Sequence, residues 1–554
     1  MNNGMSAPAE PRPRSWWGWG YEGEGLSDAE VDALAATVAA RFGADARRRT
    51  PPALASLDLP PPRLGVPRVF DEIASSDRFE RASHAYGKSY RDVVRALDGR
   101  LDHPPDLVAR PRSEAEVTDV LDWCASVGAA AVPYGGGSSV VGGVEPDVGD
   151  GFAGTVTLDM GAMGRVLEVE PTSRTARIEA GAFGPALEDH LRPHGLTLRH
   201  FPQSFECSTL GGWIATRAGG HFATGPTHID DLVEAIRVVT PEGTIATGRV
   251  PSSGAGPDPV RLFLGSEGIL GVVTEAWVRM LRRPRWKAGG PARFPSFGAG
   301  ARAVRALAQS GLEPSNCRLI DPLEALVNGV GDGRAAVLLV GFESADHPVG
   351  PWAGRARECV LDCGGVIDPD SWRVSESAAG HEGPSSSDGD PAGAWRRSFL
   401  RAPYLRDALV TLGVLCETFE TAVTWDRFDV LYATVTDAAV KALAASGPAG
   451  GVVTCRFTHA YPDGPAPYFT VLAPAVPGGE LEQWDAVKSA ASDAVLGAGG
   501  TITHHHAVGR DHRRWYDRER PELFARTLVA AKGVLDPHGM MNPGVLVDPA
   551  PSPS

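Results

Sequence analysis

The stretch that decides the fold is Pro133-Tyr-Gly-Gly-Gly-Ser-Ser-Val-Val-Gly-Gly143, which continues a short apolar run at 129–133. The apolar run predicts a buried strand that leads directly into the glycine loop. No helix follows at once and the spacing is not G-x-G-x-x-G, so the Rossmann fingerprint is absent. Glycines without Cβ atoms instead allow successive backbone amides to converge on an anion. The loop is predicted to bind a phosphate group; a purely structural turn is the alternative.

Two further loops rich in glycine and hydroxyl side chains follow, Pro202-Gln-Ser-Phe-Glu-Cys-Ser-Thr-Leu-Gly-Gly-Trp213 and Gly265-Ser-Glu-Gly-Ile-Leu-Gly271. Short strands separate the loops, and an apolar strand at 272–281 closes this unit. Three such loops in one unit predict a single extended cofactor that carries phosphate. Three unrelated turns are the alternative.

Composition and charge describe an ordinary soluble globular protein. Of 554 residues, 43% are hydrophobic and 22% charged, and 53 basic against 68 acidic side chains give a net charge of −15. Nucleic acids and anionic membranes require clustered positive charge, so both are disfavoured as general partners. The seven cysteines include no CxxC pair, which indicates neither a disulfide framework nor a zinc site.

No signal-peptide core and no membrane-spanning apolar run occur in the sequence. We therefore expect a cytoplasmic protein, with peripheral membrane contact and a homodimer left open. A serine- and glycine-rich loop is expected at 380–393.

The first hundred residues predict a helical segment. Trp16-Trp-Gly-Trp-Gly-Tyr21 concentrates bulky rings that we expect to dock on the main body; a lid over a small ligand is the alternative. Ser27 and Glu30 form a capping box that starts a helix, which Gly43 ends. The segment 70–97 is predicted to be helical and charged, with its His84 and Lys88 side chains at the surface.

A second unusual stretch, Thr501-Ile-Thr-His-His-His-Ala-Val-Gly509, contains three consecutive histidines. Imidazoles titrate near neutral pH and suit proton transfer or metal ligation. We predict a strand here, on which His504 and His506 share one face and His505 takes the other. A surface cluster and a metal site are alternatives, although a metal site favours another spacing or a nearby carboxylate.

The loops together resemble the flavin-linked oxidase superfamily that includes vanillyl-alcohol oxidase and p-cresol methylhydroxylase. The resemblance rests on Pro-x-Gly-Gly-Gly-x-Ser at 133–139, Ser-Thr-x-Gly-Gly at 208–212, Gly-Ser-Glu-Gly-x-Leu-Gly at 265–271 and Asn-Pro-Gly at 542–544. A closer resemblance, to the alkyldihydroxyacetonephosphate synthase family, extends over nearly the whole chain. It is carried by Trp17-Gly-Trp-Gly-Tyr21, Arg318-Leu-Ile-Asp321, Glu420-Thr-Ala-Val-Thr-Trp-Asp-Arg427, Tyr468-Phe469 and the histidine triplet.

The resemblance implies an α+β protein with an FAD-binding domain of the vanillyl-alcohol oxidase/p-cresol methylhydroxylase (PCMH) type. The implied units are an N-terminal helical segment (1–100), the FAD-binding domain (101–282), a cap domain for substrate (283–500) and a returning C-terminal segment (501–554). No histidine lies within 129–145, so we expect dissociable FAD. The residues expected to bind FAD are Pro133, Gly135, Gly136, Gly137, Ser138, Ser139, Pro202, Ser204, Ser208, Thr209, Gly211, Gly212, Thr216, Glu267, Gly268, Gly271 and Val272.

The implied reaction replaces the acyl group of acyl-dihydroxyacetone phosphate by a fatty alcohol without net redox change, through a flavin N5–substrate adduct. His504, His505 and His506, with Tyr468, are the expected catalytic residues, and no metal is expected. Arg427 and Arg318 are expected to hold the substrate phosphate, because arginine forks match phosphate oxygens. Alternatively, Arg427 pairs with Asp426 or Glu420, and Tyr468 is a core ring.

Two other functions remain open at this stage. One is an FAD-dependent oxidoreductase of the same fold that acts on a 2-hydroxy acid or a related alcohol. The other is a protein with a binding role only.

Overall fold

The structure is a computed structural model that describes residues 13–43, 48–376 and 391–548. The expected loop at 380–393 lies outside the described residues except for its last three positions, which begin a helix. The helices are Asp28–Phe42, Arg78–Ser83, Tyr90–Leu97, Glu114–Val127, Gly184–Leu191, Leu210–Thr216, Val260–Phe263, Phe297–Ala308, Pro322–Val327, Gly350–Asp362, Pro391–Thr411, Trp425–Ser446, Glu480–Gly497, Arg513–Glu519 and Glu522–Leu535. No helix within the described ranges is long and apolar enough to cross a bilayer.

The part of the chain that contains the glycine loops forms two sheets. The first has the order Ala74–Ser75, Leu107–Ala109, Thr155–Asp159, Ala130–Tyr134, and its last three strands are parallel. The second is antiparallel, in the order Val166–Glu170, Thr175–Glu179, Val272–Arg279, Val233–Thr240, Gly243–Ala246. A small ribbon pairs Leu281–Arg282 with Leu196–Thr197. The predicted strand before the first glycine loop is confirmed, since Ala130–Tyr134 is fully paired along the sheet.

A seven-stranded antiparallel sheet, here called the cap sheet, forms the second half of the molecule. Its order is Arg373–Glu376, Trp286–Phe294, Ala336–Ser344, Asn316–Ile320, Val452–Ala460, Pro465–Pro474, Val414–Glu420. Side chains alternate between the two faces of a strand. On Val452–Ala460, Cys455 and Phe457 belong to the apolar core, whereas the intervening Thr454, Arg456 and Thr458 line a cavity. One face of the cap sheet therefore belongs to the core and the other faces the cavity.

The C-terminal segment returns to the first sheet. Met541 forms a parallel bridge with Ala131. The buried Lys532 ammonium donates hydrogen bonds to the carbonyl oxygens of Ile269 and Met541 and to the Asp536 carboxylate. These contacts fix the third glycine loop against the chain that follows the histidine triplet.

The N-terminal region differs from its prediction in two ways. It supplies the edge strand Ala74–Ser75 to the first sheet as well as helices. His84 and Lys88 are only 3% and 8% exposed, so their predicted surface location is wrong. The His84 imidazole lies 3.2 Å from the Asp159 carboxylate, and the Lys88 ammonium donates to the Ser15 carbonyl oxygen. Such pairing permits polar groups to be buried. The predicted capping box of Ser27 and Glu30 is confirmed, with Gly43 in the left-handed conformation.

Candidate active site

A cavity of about 340 Å³ separates the glycine loops from the cap sheet. Every residue that was expected to bind FAD lines this cavity. The cap sheet and the C-terminal segment contribute Arg318, Arg456, Tyr468, His505 and His506 to the opposite wall. The three loops thus form one continuous surface.

The first glycine loop packs directly against the second because its glycines lack side chains. A Cβ atom on Gly136 would overlap the Cys207 carbonyl oxygen, and one on Gly135 would overlap the Thr209 hydroxyl. The backbone amides of Gly136, Gly137 and Ser138 donate to no acceptor within the described part of the chain. Because all three residues line the cavity, these amides can donate to the phosphate oxygens of an elongated dinucleotide.

Replacement of Gly136 by alanine is expected to abolish FAD binding, because the added methyl group must displace the backbone of the second loop. FAD content after purification and the dissociation constant of the apoprotein measure this effect. The matched control is Gly298→Ala, where an added Cβ meets nothing within 4 Å. Normal FAD content in Gly136→Ala would contradict the role given to this loop.

Glu267 joins the third glycine loop to the histidine segment. Its buried carboxylate accepts hydrogen bonds from the amides of Val508 (2.9 Å) and Gly509 (2.8 Å). Burial raises the pKa of this carboxyl to about 7. The Asn542 side-chain amide donates to the carbonyl oxygens of Gly143 and Glu267, so the Asn-Pro-Gly motif connects two of the loops.

The histidine triplet is wrapped around the carboxylate of Glu420. The amides of His504, His505 and His506 all donate to it, at 2.6, 2.9 and 2.9 Å, and the Thr503 hydroxyl adds a fourth hydrogen bond. Successive amides of a strand point in opposite directions, so one carboxylate cannot bind three of them in a row. The predicted strand is therefore wrong: the segment is a tight bend.

Burial keeps the triplet uncharged. Desolvation lowers the pKa of His505 to about 3 and that of His506 to about 4, while the Glu420 carboxylate opposes this shift. Burial by itself raises the pKa of Glu420. The electrostatic interactions with His505, His506 and His504 and the hydrogen bonds from the backbone amides lower it by more, so the pKa of Glu420 lies well below the usual carboxyl range. At neutral pH two neutral imidazoles therefore line the cavity above a buried carboxylate.

His504 points away from the cavity, unlike its two neighbours. Its Nε2 lies 2.8 Å from the Tyr461 hydroxyl, and its carbonyl oxygen lies 3.1 Å from His228 Nε2. Nitrogens of His459, His504 and His505 lie within 4.8 Å of one another, a spacing that suits a metal ion. However, both His459 nitrogens have protein partners, as do both His504 nitrogens, so these contacts favour a hydrogen-bonded cluster.

Tyr468 lies beside the triplet on the cap sheet. It is 4% exposed, and its ring centroid lies 5.4 Å from that of His506 and 6.3 Å from that of His505. Burial raises the pKa of its hydroxyl. The Arg456 guanidinium stacks 3.8 Å from the centroid of the Tyr468 ring and pairs with the Glu324 carboxylate. Arg456 was not predicted, although a charged residue within an apolar strand is a recognisable feature of the sequence.

The two predicted phosphate-binding arginines have different locations. Arg318 lines the cavity, is 5% exposed and donates to the His221 carbonyl oxygen at 3.1 Å. Burial lowers its pKa to about 10, so it is still charged at neutral pH. Arg427 is exposed on the first turn of Trp425–Ser446 and lies against Gly499, outside the cavity. The structure therefore corrects the prediction for Arg427, and the cavity is lined by Arg456 and Arg406 as well as Arg318.

Comparisons with known proteins agree with this geometry. Residues 105–249 match the family model described as FAD binding domain, and residues 283–546 match FAD linked oxidases, C-terminal domain. The chain is 30% identical to alkyldihydroxyacetonephosphate synthase of Trypanosoma brucei brucei, over 89% of this chain and 82% of that protein. The match with FAD-binding proteins confirms FAD as the cofactor.

Two solved structures have the same fold. An alkyldihydroxyacetonephosphate synthase structure superposes with a TM-score of 0.75 at 26% identity, covering 96% of this chain and 98% of the other. p-Cresol methylhydroxylase superposes with a TM-score of 0.63 at 14% identity, covering 95% and 98%. The predicted α+β fold of the PCMH type is confirmed.

Proposed function

The chain belongs to the alkyldihydroxyacetonephosphate synthase family of FAD-dependent enzymes, and we propose that it acts in ether lipid synthesis. In the proposed reaction a fatty alcohol replaces the acyl group of acyl-dihydroxyacetone phosphate, with no net redox change. The observation that carries the proposal is the wall opposite the glycine loops, where Arg318 and Arg456 line the same cavity as Tyr468, His505 and His506. A cytoplasmic location and a homodimer stay predictions.

Arg318 and Arg456 are proposed to bind the substrate phosphate. Both guanidiniums are buried in the cavity wall, and burial strengthens their interaction with a dianion. The Glu324 carboxylate holds Arg456 in place, while the carbonyl oxygen of His221 orients Arg318.

The alkyl groups are proposed to lie along Pro391–Thr411. Phe399, Ala402, Leu405 and Leu409 of this helix line the same cavity, together with Leu472 from the cap sheet. Each methylene buried against such a wall stabilises binding by about 0.8 kcal/mol. A long-chain alcohol is therefore a better fit than a short hydroxy acid.

His505 and His506 are proposed to move protons. Their neutral imidazoles accept a proton from the substrate carbon or from the incoming alcohol, and the Glu420 carboxylate stabilises the imidazolium that forms. The protonated Tyr468 hydroxyl is proposed to donate a hydrogen bond to the carboxylate as it leaves, without transferring its proton. The flavin, when bound, supplies the nucleophilic N5 for the exchange. General acid–base catalysis of this kind contributes about 10²–10⁴-fold.

A substrate panel tests the proposal against the oxidoreductase alternative. We expect release of fatty acid from acyl-dihydroxyacetone phosphate only when a fatty alcohol is present. Bleaching of the flavin by a 2-hydroxy acid, without any exchange, would instead establish the oxidoreductase.

Replacement of Arg318 by methionine is expected to raise KM for the phosphate substrate by about 10- to 150-fold, since one charge-assisted hydrogen bond is lost. Steady-state kinetics at fixed alcohol concentration measure the change. Arg427→Met is the matched control, because that guanidinium lies outside the cavity, and its KM should stay near the wild-type value. Equal effects in the two variants would contradict the assignment.

A further inference from the structure

Residues 14–21, here called the aromatic loop, connect the two halves of the molecule. Arg14 and Tyr21 form an antiparallel bridge that closes the loop. On the cap side, the Trp19 amide donates to the Asp407 carboxylate at 2.6 Å, and the Arg406 guanidinium lies 5.6 Å from the centroid of the Trp19 ring. The loop is therefore fixed to Pro391–Thr411, the helix that lines the cavity.

The same loop also binds the FAD-binding domain. The Arg14 guanidinium donates to the carbonyl oxygen of Gly135 at 3.2 Å and stacks 4.8 Å from the centroid of the Phe183 ring. Within the N-terminal segment, the Lys88 ammonium donates to the Ser15 carbonyl oxygen at 3.2 Å. Gly135 belongs to the glycine loop, so the aromatic loop holds that loop and the cap helix at once.

Trp19 is the member of the aromatic loop that lines the cavity. The residue is 8% exposed, and its indole nitrogen is buried without a hydrogen-bond partner among the described residues. Buried indole N–H groups usually have an acceptor. Gly136 and Ser138, whose amides meet no acceptor in the part of the chain that the structure describes, line the main cavity with Trp19 and share a second, smaller cavity with it. These donors converge on the same region.

We propose that Trp19 is a cofactor-binding residue whose indole N–H donates a hydrogen bond to a phosphate oxygen of FAD. The aromatic loop then completes the dinucleotide site that the glycine loop begins. Because the loop is also fixed to Pro391–Thr411, bound FAD strengthens the attachment of that helix over the cavity. This inference concerns the cofactor and does not depend on the proposed substrate.

Trp19→Phe tests the proposal, since phenylalanine keeps a buried ring and removes only the donor group. Titration of the apoprotein with FAD, followed by flavin fluorescence, should show at least about tenfold weaker binding. Trp16→Phe is the matched control: Trp16 is 7% exposed in the same loop and packs in a separate apolar cluster. Its FAD affinity should stay within about twofold of wild type.

A second measurement follows the indole directly in the wild-type protein. The ¹⁵N–¹H resonance of Trp19, identified by its absence from the Trp19→Phe spectrum, should move downfield and exchange more slowly when FAD is added. Wild-type FAD affinity in Trp19→Phe, or an indole resonance that FAD leaves unchanged, would overturn the proposal. A raised substrate KM with unchanged FAD affinity would also overturn it, because the donor would then serve the substrate phosphate.

Discussion

Replacement of His506 by alanine is expected to lower kcat/KM by about 10²–10⁴-fold while FAD stays bound. The imidazole lines the cavity beside Tyr468, whereas its backbone amide, which the variant retains, binds Glu420. The bend of the triplet therefore survives the substitution and only the proton acceptor is removed. Exchange kinetics and the flavin absorbance spectrum, recorded on the same sample, separate loss of chemistry from loss of cofactor.

Two further variants are compared with His506→Ala. Tyr468→Phe removes the proposed hydrogen-bond donor to the leaving carboxylate and is expected to behave like His506→Ala. His504→Ala is the matched control from the same triplet, because its side chain contacts Tyr461 outside the cavity, and it should retain activity within about tenfold of wild type. Wild-type rates in His506→Ala, or equal losses in His504→Ala and His506→Ala, would refute the assigned site.

Replacement of Glu420 by alanine is expected to lower the free energy of unfolding by about 3–5 kcal/mol and to abolish exchange. The substitution leaves the amides of His504, His505 and His506 and the Thr503 hydroxyl without their acceptor. The bend then loses the group that holds it together. Urea unfolding of the apoprotein measures the change in stability.

The pH dependence of stability provides an independent check on Glu420. Its pKa is lowered in the folded state, so its contribution is present at neutral pH and is lost as the pH falls below the usual carboxyl range. On acidification the Glu420→Ala protein should therefore lose less stability than the wild type, because it lacks this carboxyl. The control Glu482→Ala, at an exposed helix position, should change stability by less than about 0.5 kcal/mol. A Glu420→Ala protein as stable and active as wild type would contradict the role of the carboxylate.

The glycine loops were predictable because their information is local. A Cβ atom on Gly136 would overlap the backbone of the second loop, and Gly137 has a positive φ of 67°, so the fold requires glycine at both positions. The occurrence of three such loops in one unit then predicted the surface that binds the cofactor. The same local reasoning found the capping box at Ser27 and the strand before the first loop.

The conformation of the triplet was not predictable from the sequence, because Glu420 lies 84 residues before His504. The local sequence pattern predicted a strand for the triplet, whereas the hydrogen bonds to the distant Glu420 carboxylate stabilise a bend. The arginines show a second limit. Arg427 and Arg456 have the same chemistry, and only the strand register of Val452–Ala460 and the helix position of Arg427 decide which one enters the cavity.

Trp19 illustrates the same limit in the N-terminal region. The aromatic rings at 16–21 predicted that this segment docks on the main body. The structure shows such a contact, between the Trp19 amide and the Asp407 carboxylate. Which of the three tryptophans at 16–19 reaches the cavity depends on the turn that Arg14 and Tyr21 close. Such a turn joins residues that the sequence alone does not place together.

The most direct measurement is the stoichiometry of exchange without oxygen or any other electron acceptor. The enzyme is incubated with acyl-dihydroxyacetone phosphate and a labelled fatty alcohol, and released fatty acid, labelled ether product and flavin absorbance are followed together. The account predicts equal amounts of fatty acid and ether over many turnovers, with the flavin ending in the oxidation state in which it began. Turnover that stops after one equivalent until an electron acceptor is supplied, or the absence of labelled ether, would contradict it.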